Sequence, residues 1–153
     1  MRVENDFEEL IRCFNDHSVE FLLVGAYALA YHGIPRATQD LDLYVRPTLE
    51  NAGRVVRALQ TFGFAGLEEA EVATPGRVIM MGRPPMRIDL LTQISGLTWE
   101  EAWNGRKTAN YGQQSLFVRE RRELLLNKAV AGRLKDKADF ELLNTTPQDR
   151  DET

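Results

Sequence analysis

The stretch Asp40-Leu41-Asp42-Leu43-Tyr44-Val45 constrains this chain more than any other part of it. Apolar and polar positions alternate with a period of two, the signature of an extended strand whose successive side chains leave opposite faces. Leu41, Leu43 and Val45 are expected to enter a core, and Asp40, Asp42 and Tyr44 to leave on the other side. The two carboxylates then share one face, with Cα atoms about 6.5 Å apart. Acids so close repel one another unless a cation sits between them. Mg²⁺ suits such a pair, because it takes hard oxygen ligands and keeps further positions for water and substrate phosphates.

The rest of the chain supplies a setting for that strand. Phe7, Leu10, Ile11 and Phe14 recur at helical spacing and predict a helix over residues 3–16. Glu20-Phe21-Leu22-Leu23-Val24 reads as a buried strand ending at Gly25. Thr48 is placed to cap a helix over residues 49–62, with Val55, Val56 and Leu59 inward and Gly63 at its end. Residues 64–74 read as a weak strand and an acidic loop. Arg77 to Met81 and Met86 to Leu91 form apolar runs joined by Gly82-Arg83-Pro84-Pro85, a hairpin pattern. A short helix over 98–104, a strand over 115–118 and helix over 120–143 complete the pass. Strands and helices alternate without a strict βαβ rhythm. The expected fold is therefore α/β in the broad sense (α+β), a mixed sheet flanked by helices. At 153 residues the chain reads as one domain over 1–143 with a polar tail over 144–153.

Composition narrows the classes. No apolar run approaches the roughly 20 residues that span a bilayer, and the N-terminus lacks the apolar core of a secretory leader, so a cytoplasmic protein with no membrane partner is expected. The single cysteine, Cys13, has no partner for an internal disulfide. Charge is uneven: residues 1–42 hold three basic and eight acidic side chains, and residues 105–139 hold nine basic and four acidic. A basic helix face of that kind is either plain solvated surface or one wall of a phosphate-facing groove.

Asp89 is the third acid of interest. It lies inside Met86-Arg87-Ile88-Asp89-Leu90-Leu91, where an isolated carboxylate is costly to bury. If its strand adjoins the one bearing Asp40 and Asp42, three acids converge and can hold two metal ions roughly 3.5–4 Å apart. Taken singly, each acid has a plain structural reading: Asp40 as a turn cap, Asp42 as the polar side of a half-exposed strand, Asp89 as an edge residue paired with Arg87 or Arg83. Gly25 and Ala26 stand at a strand-to-helix turn, where glycine lets backbone amides approach phosphate oxygens closely.

An apolar strand, a glycine turn, a helix and then Asp-x-Asp on the next strand resembles the nucleotidyltransferase superfamily with the DNA polymerase β-like fold. The likeness is closer to the AbiEii-type nucleotidyltransferases and their uncharacterised relatives. It rests on Phe21-Leu22-Leu23-Val24-Gly25-Ala26-Tyr27 through His32-Gly33, on Arg36-Ala37-Thr38-Gln39-Asp40-Leu41-Asp42-Leu43, and on Leu126-Asn127-Lys128 with Arg133-Leu134-Lys135-Asp136-Lys137-Ala138-Asp139. The resemblance implies a minimal nucleotidyltransferase fold. It also implies Mg²⁺ or Mn²⁺ on Asp40, Asp42 and Asp89, and an NTP held by Gly25, Ala26, Arg36, Thr38 and Lys128. Arg133, Asp136 and Asp139 then support Lys128. Three departures stand out. Ala26 replaces the usual second Gly or Ser, the gap from Gly25 to Asp40 is long, and the chain lacks the larger helical domain that many relatives carry for their acceptor.

The activity so implied is transfer of a nucleoside monophosphate from an NTP to a hydroxyl of RNA, tRNA included, or of a protein. A toxin role with a cognate antitoxin partner is implied with it. The alternative is a catalytically degenerate nucleotide-binding or protein-interaction module of the same fold. A metal-dependent nuclease would use similar acids without needing the glycine turn.

Overall fold

A computed structural model of the chain describes residues 5–25, 40–83 and 86–119. Helix α1 (Asn5–Asp16) leads into β1 (Phe21–Val24). Strand β2 (Asp40–Val45) precedes α2 (Leu49–Phe62) and the single turn α3 (Glu69–Val72). The hairpin β3 (Val78–Arg83) and β4 (Met86–Leu91) follows, then α4 (Trp99–Asn104) and the hairpin β5 (Lys107–Tyr111) and β6 (Gln114–Val118).

The six strands form one mixed sheet in the order β3-β4-β2-β1-β6-β5. Its centre is the antiparallel pair β1 and β2. One hairpin joins through β4, parallel to β2, and the other through β6, parallel to β1. The fold is thus α+β, as expected.

Period two in the strands divides the apolar residues between two layers. Leu23, Leu41, Leu43, Val45, Ile88, Leu90, Leu116 and Val118 face α1 and α2 and pack on Phe7, Leu10, Ile11, Phe14, Val55 and Leu59. The opposite face carries a smaller cluster of Leu22, Val24, Tyr44, Trp99 and Ala102. There Trp99 meets Tyr44 edge-on at 4.9 Å between ring centroids and stacks on Trp103 at 5.2 Å. Both tryptophans are packing residues, and Arg106 lies 4.0 Å over the Trp103 ring.

Local signals set the element ends. Thr48 accepts from the Asn51 amide at 3.2 Å and caps α2, and Gly63 closes it. Asn51, buried at 1% exposure, accepts from the Glu20 amide at 2.8 Å and donates to the carbonyls of Glu20 and Arg46 at 3.0 and 3.1 Å. One side chain thereby fastens the start of β1 and the end of β2 to α2.

Two expectations need correction. Residues 64–74 contain no strand: Glu71 accepts from the Glu68 amide at 3.3 Å, acids occupy the first turn, and Val72 is driven into the core as α3. The sequence reading also passed over β5, where three polar residues dilute the pattern of buried Ala109 and Tyr111. Val56 is half-buried, so the inward face of α2 centres on Val55 and Leu59. The helix expected after the Gly25 turn, the helix expected over 120–143 and the tail lie outside the described residues. No described helix is long and apolar enough to cross a membrane.

Candidate functional site

The site grows from the register of β2 against its neighbours. Leu41, Leu43 and Val45 are fully buried in the large core, so Asp40 and Asp42 emerge on the opposite face, as alternation demands. Across the parallel β2–β4 ladder, Asp42 is the direct partner of Asp89 and Asp40 that of Arg87. Adjacent strands lie about 4.8 Å apart, which brings Asp42 and Asp89 side by side. Further along the same row stand Val24 of β1 on one side and Met80 of β3 on the other. The expectation that the Asp89 strand adjoins Asp40 and Asp42 therefore holds. Asp89 does not lie on an edge, because β3 covers the outer side of β4.

Gly25 ends β1 directly against Asp42. Its φ of 73° is one that residues with a Cβ rarely adopt, and a Cβ built there would overlap Oδ2 of Asp42. Glycine is therefore required twice, by the backbone and by the space the carboxylate fills. The close approach of the turn also strips water from the acid.

The electrostatics follow from this crowding. The Asp42 carboxyl is raised from 3.8 to about 7, first by burial and then by the negative charges of Asp89 and Asp40. A hydrogen bond shared with Asp89 adds to the rise and Arg87 opposes it. Arg87 forks onto Asp89, with Nε 3.1 Å from Oδ1 and Nη2 3.3 Å from Oδ2. Its Nε also lies 4.0 Å from Oδ2 of Asp40.

The donors that could hold a divalent cation are the oxygens of Asp42 and Asp89, with Asp40 one pleat away. Among the described residues no three such side chains are gathered closely enough to hold a metal ion as they stand. The structure thus brings the three acids to one face without drawing them into a finished metal cluster, and Arg87 takes both oxygens of Asp89.

Of the remaining expected site residues, Ala26, Arg36, Thr38, Lys128, Arg133, Asp136 and Asp139 lie outside the described residues. The sequence reading gave no site role to Arg87, although its place two residues before Asp89 on a strand already put it on the same face. Arg119, which follows β6 and is 2% exposed, opposes the larger upward effect of burial on the Tyr44 phenol. No local signal marks Arg119, because its position depends on β6 pairing with β1.

No protein-family model matches the chain, and none of the curated proteins matches its sequence.

Proposed function

We propose that the chain is a metal-dependent nucleotidyltransferase that moves a nucleoside monophosphate from an NTP to an acceptor hydroxyl and releases pyrophosphate. The observation that carries this reading is the pairing of Asp42 with Asp89 on adjoining parallel strands, with the Gly25 turn packed on Asp42. The chemistry of the donors fits Mg²⁺ or Mn²⁺. All are hard carboxylate oxygens, and Asp42 retains its proton to about pH 7 where positive charge is insufficient. Bound on Asp40, Asp42 and Asp89, the metal would neutralise charge building on the phosphates and acidify the acceptor hydroxyl.

The chain's own residues do the rest by placement. The acceptor oxygen bonds to the α-phosphorus, the bond from that phosphorus to the pyrophosphate oxygen breaks, and the hydroxyl proton leaves by way of the Asp89 carboxylate to solvent. Gly25 leaves room for the Asp42 carboxylate, and by the resemblance the amides of Gly25 and Ala26, with Arg36, Thr38 and Lys128, would steady the triphosphate. The acceptor belongs to RNA or protein, and the AbiEii resemblance adds a toxin role restrained by an antitoxin.

One observation favours a second reading, a nucleotide-binding module without turnover: the grip of Arg87 on Asp89 leaves no metal-ready cluster among the described residues. Incubation with α-labelled NTPs, Mg²⁺ and total RNA or protein separates the two. Label transfer that disappears in Asp42→Ala supports the transferase. Metal-dependent nucleotide binding without transfer supports the module, and shortening of the RNA points to a nuclease.

A further inference from the structure

We infer that Arg87 is an internal stand-in for the divalent cation: its guanidinium occupies the Asp89 oxygens in the metal-free protein and must withdraw when metal binds. This rests on the metal-binding part of the transferase reading. The geometry is that of competition. Both guanidinium contacts fall on the two oxygens of Asp89, at 3.1 and 3.3 Å, and Asp40 lies 4.0 Å away on the other flank. Arg87 therefore sits among the same oxygens a cation would use, and brings positive charge to the row of acids.

The surroundings allow it to leave. The Arg87 side chain is 37% exposed while that of Asp89 is 12% exposed, so the guanidinium can rotate into water and the carboxylate cannot. On β3 the residue beside Arg87 is Gly82, which places no side chain in the way. The remaining polar contact is Nη2 to Sδ of Met80 at 2.9 Å, and Met80 is itself 63% exposed. A thioether is a weak acceptor and holds the arginine loosely. Withdrawal thus gives up the partly exposed ion pairs with Asp89 and Asp40 and the weak contact with Met80.

Titration of the metal-free protein with Mn²⁺, without nucleotide, tests this. Arg87→Ala is expected to bind Mn²⁺ about three- to tenfold more tightly than wild type, the worth of a partly exposed ion pair. Arg87→Lys, a point charge without the fork, should fall between them. The metal-free Arg87→Ala protein should also melt lower, and Mn²⁺ should raise its melting temperature more than that of wild type.

In wild type, the Arg87 Nε–H resonance (assigned by its loss in Arg87→Lys) should shift on addition of Mg²⁺. Equal or weaker Mn²⁺ binding by Arg87→Ala overturns the inference and makes Arg87 an orienting residue for Asp89. A resonance that stays fixed while Mg²⁺ binds overturns it too, and that readout stands even if Arg87→Ala does not fold. Competition without monophosphate transfer sinks the transferase alone. Transfer with unchanged metal affinity in Arg87→Ala sinks the competition alone, and absence of any metal binding sinks both.

Discussion

The two ends of the β1–β2 pair handle polar groups in opposite ways. Where β1 begins and β2 ends, Asn51 is buried and makes three hydrogen bonds, and the ion pair of Arg46 with Glu20 at 2.8 Å lies beside it. Where β1 ends and β2 begins, Asp42 is crowded by two other carboxylates and a glycine turn, and holds its proton to about pH 7. At the first end the buried amide of Asn51 is answered by backbone partners on both strands, which stabilises a fold. The second keeps like charges together at a cost to stability, an arrangement more useful for binding a charged ligand than for holding strands in place.

The contrast can be broken at either end. The largest effect is expected for Asp89→Asn, which preserves shape and removes the charge: monophosphate transfer should fall about a thousandfold, a loss typical of removing a key electrostatic group. Activity within a few fold of wild type, in the labelled-NTP assay, takes Asp89 out of the reaction. At the opposite end, Asn51→Leu leaves the Glu20 amide without its acceptor and removes one of the donors to each of two carbonyls, and should cost about 3 kcal/mol in urea unfolding, with little dependence on pH. Gly25→Ala should cost about 2–3 kcal/mol, from the positive φ and from displacement of Asp42, and should weaken metal binding as well.

Asp42→Asn should change stability with the other sign. The folded chain keeps the Asp42 proton up to about pH 7, whereas the unfolded chain releases it near 3.8. The contribution of Asp42 is therefore intact below pH 3.8 and is lost as pH rises through about 7. In EDTA, Asp42→Asn should be more stable than wild type at pH 8, with a gain about 3 kcal/mol larger there than at pH 4.5. A gain that does not grow with pH shows that the acids do not repel as placed. The smallest effect belongs to Thr48→Ala, which removes the cap of α2 and should cost about 1 kcal/mol by urea unfolding at any pH.

Much of this was legible from residue order. Alternation in residues 40–45 alone placed Leu41 and Leu43 inward and both acids outward, because a strand leaves no other arrangement once one face is buried. Thr48 and Gly63 marked the two ends of α2, since caps are local chemistry. Where polar residues interrupt the pattern, as in Lys107–Tyr111, the local signal was too weak to show a strand that pairing with Gln114–Val118 makes secure.

The sequence alone determined the face on which Asp40 and Asp42 emerge and the end of the first strand at Gly25. Only the tertiary structure decided that Asp42 lies beside Asp89, that Gly25 sits on Asp42, and that Arg87 takes the oxygens a cation would use. Side-chain direction along a strand follows from backbone stereochemistry within a few residues. Which strand lies beside which, and hence the charge each acid feels, is fixed by packing between segments far apart in the chain.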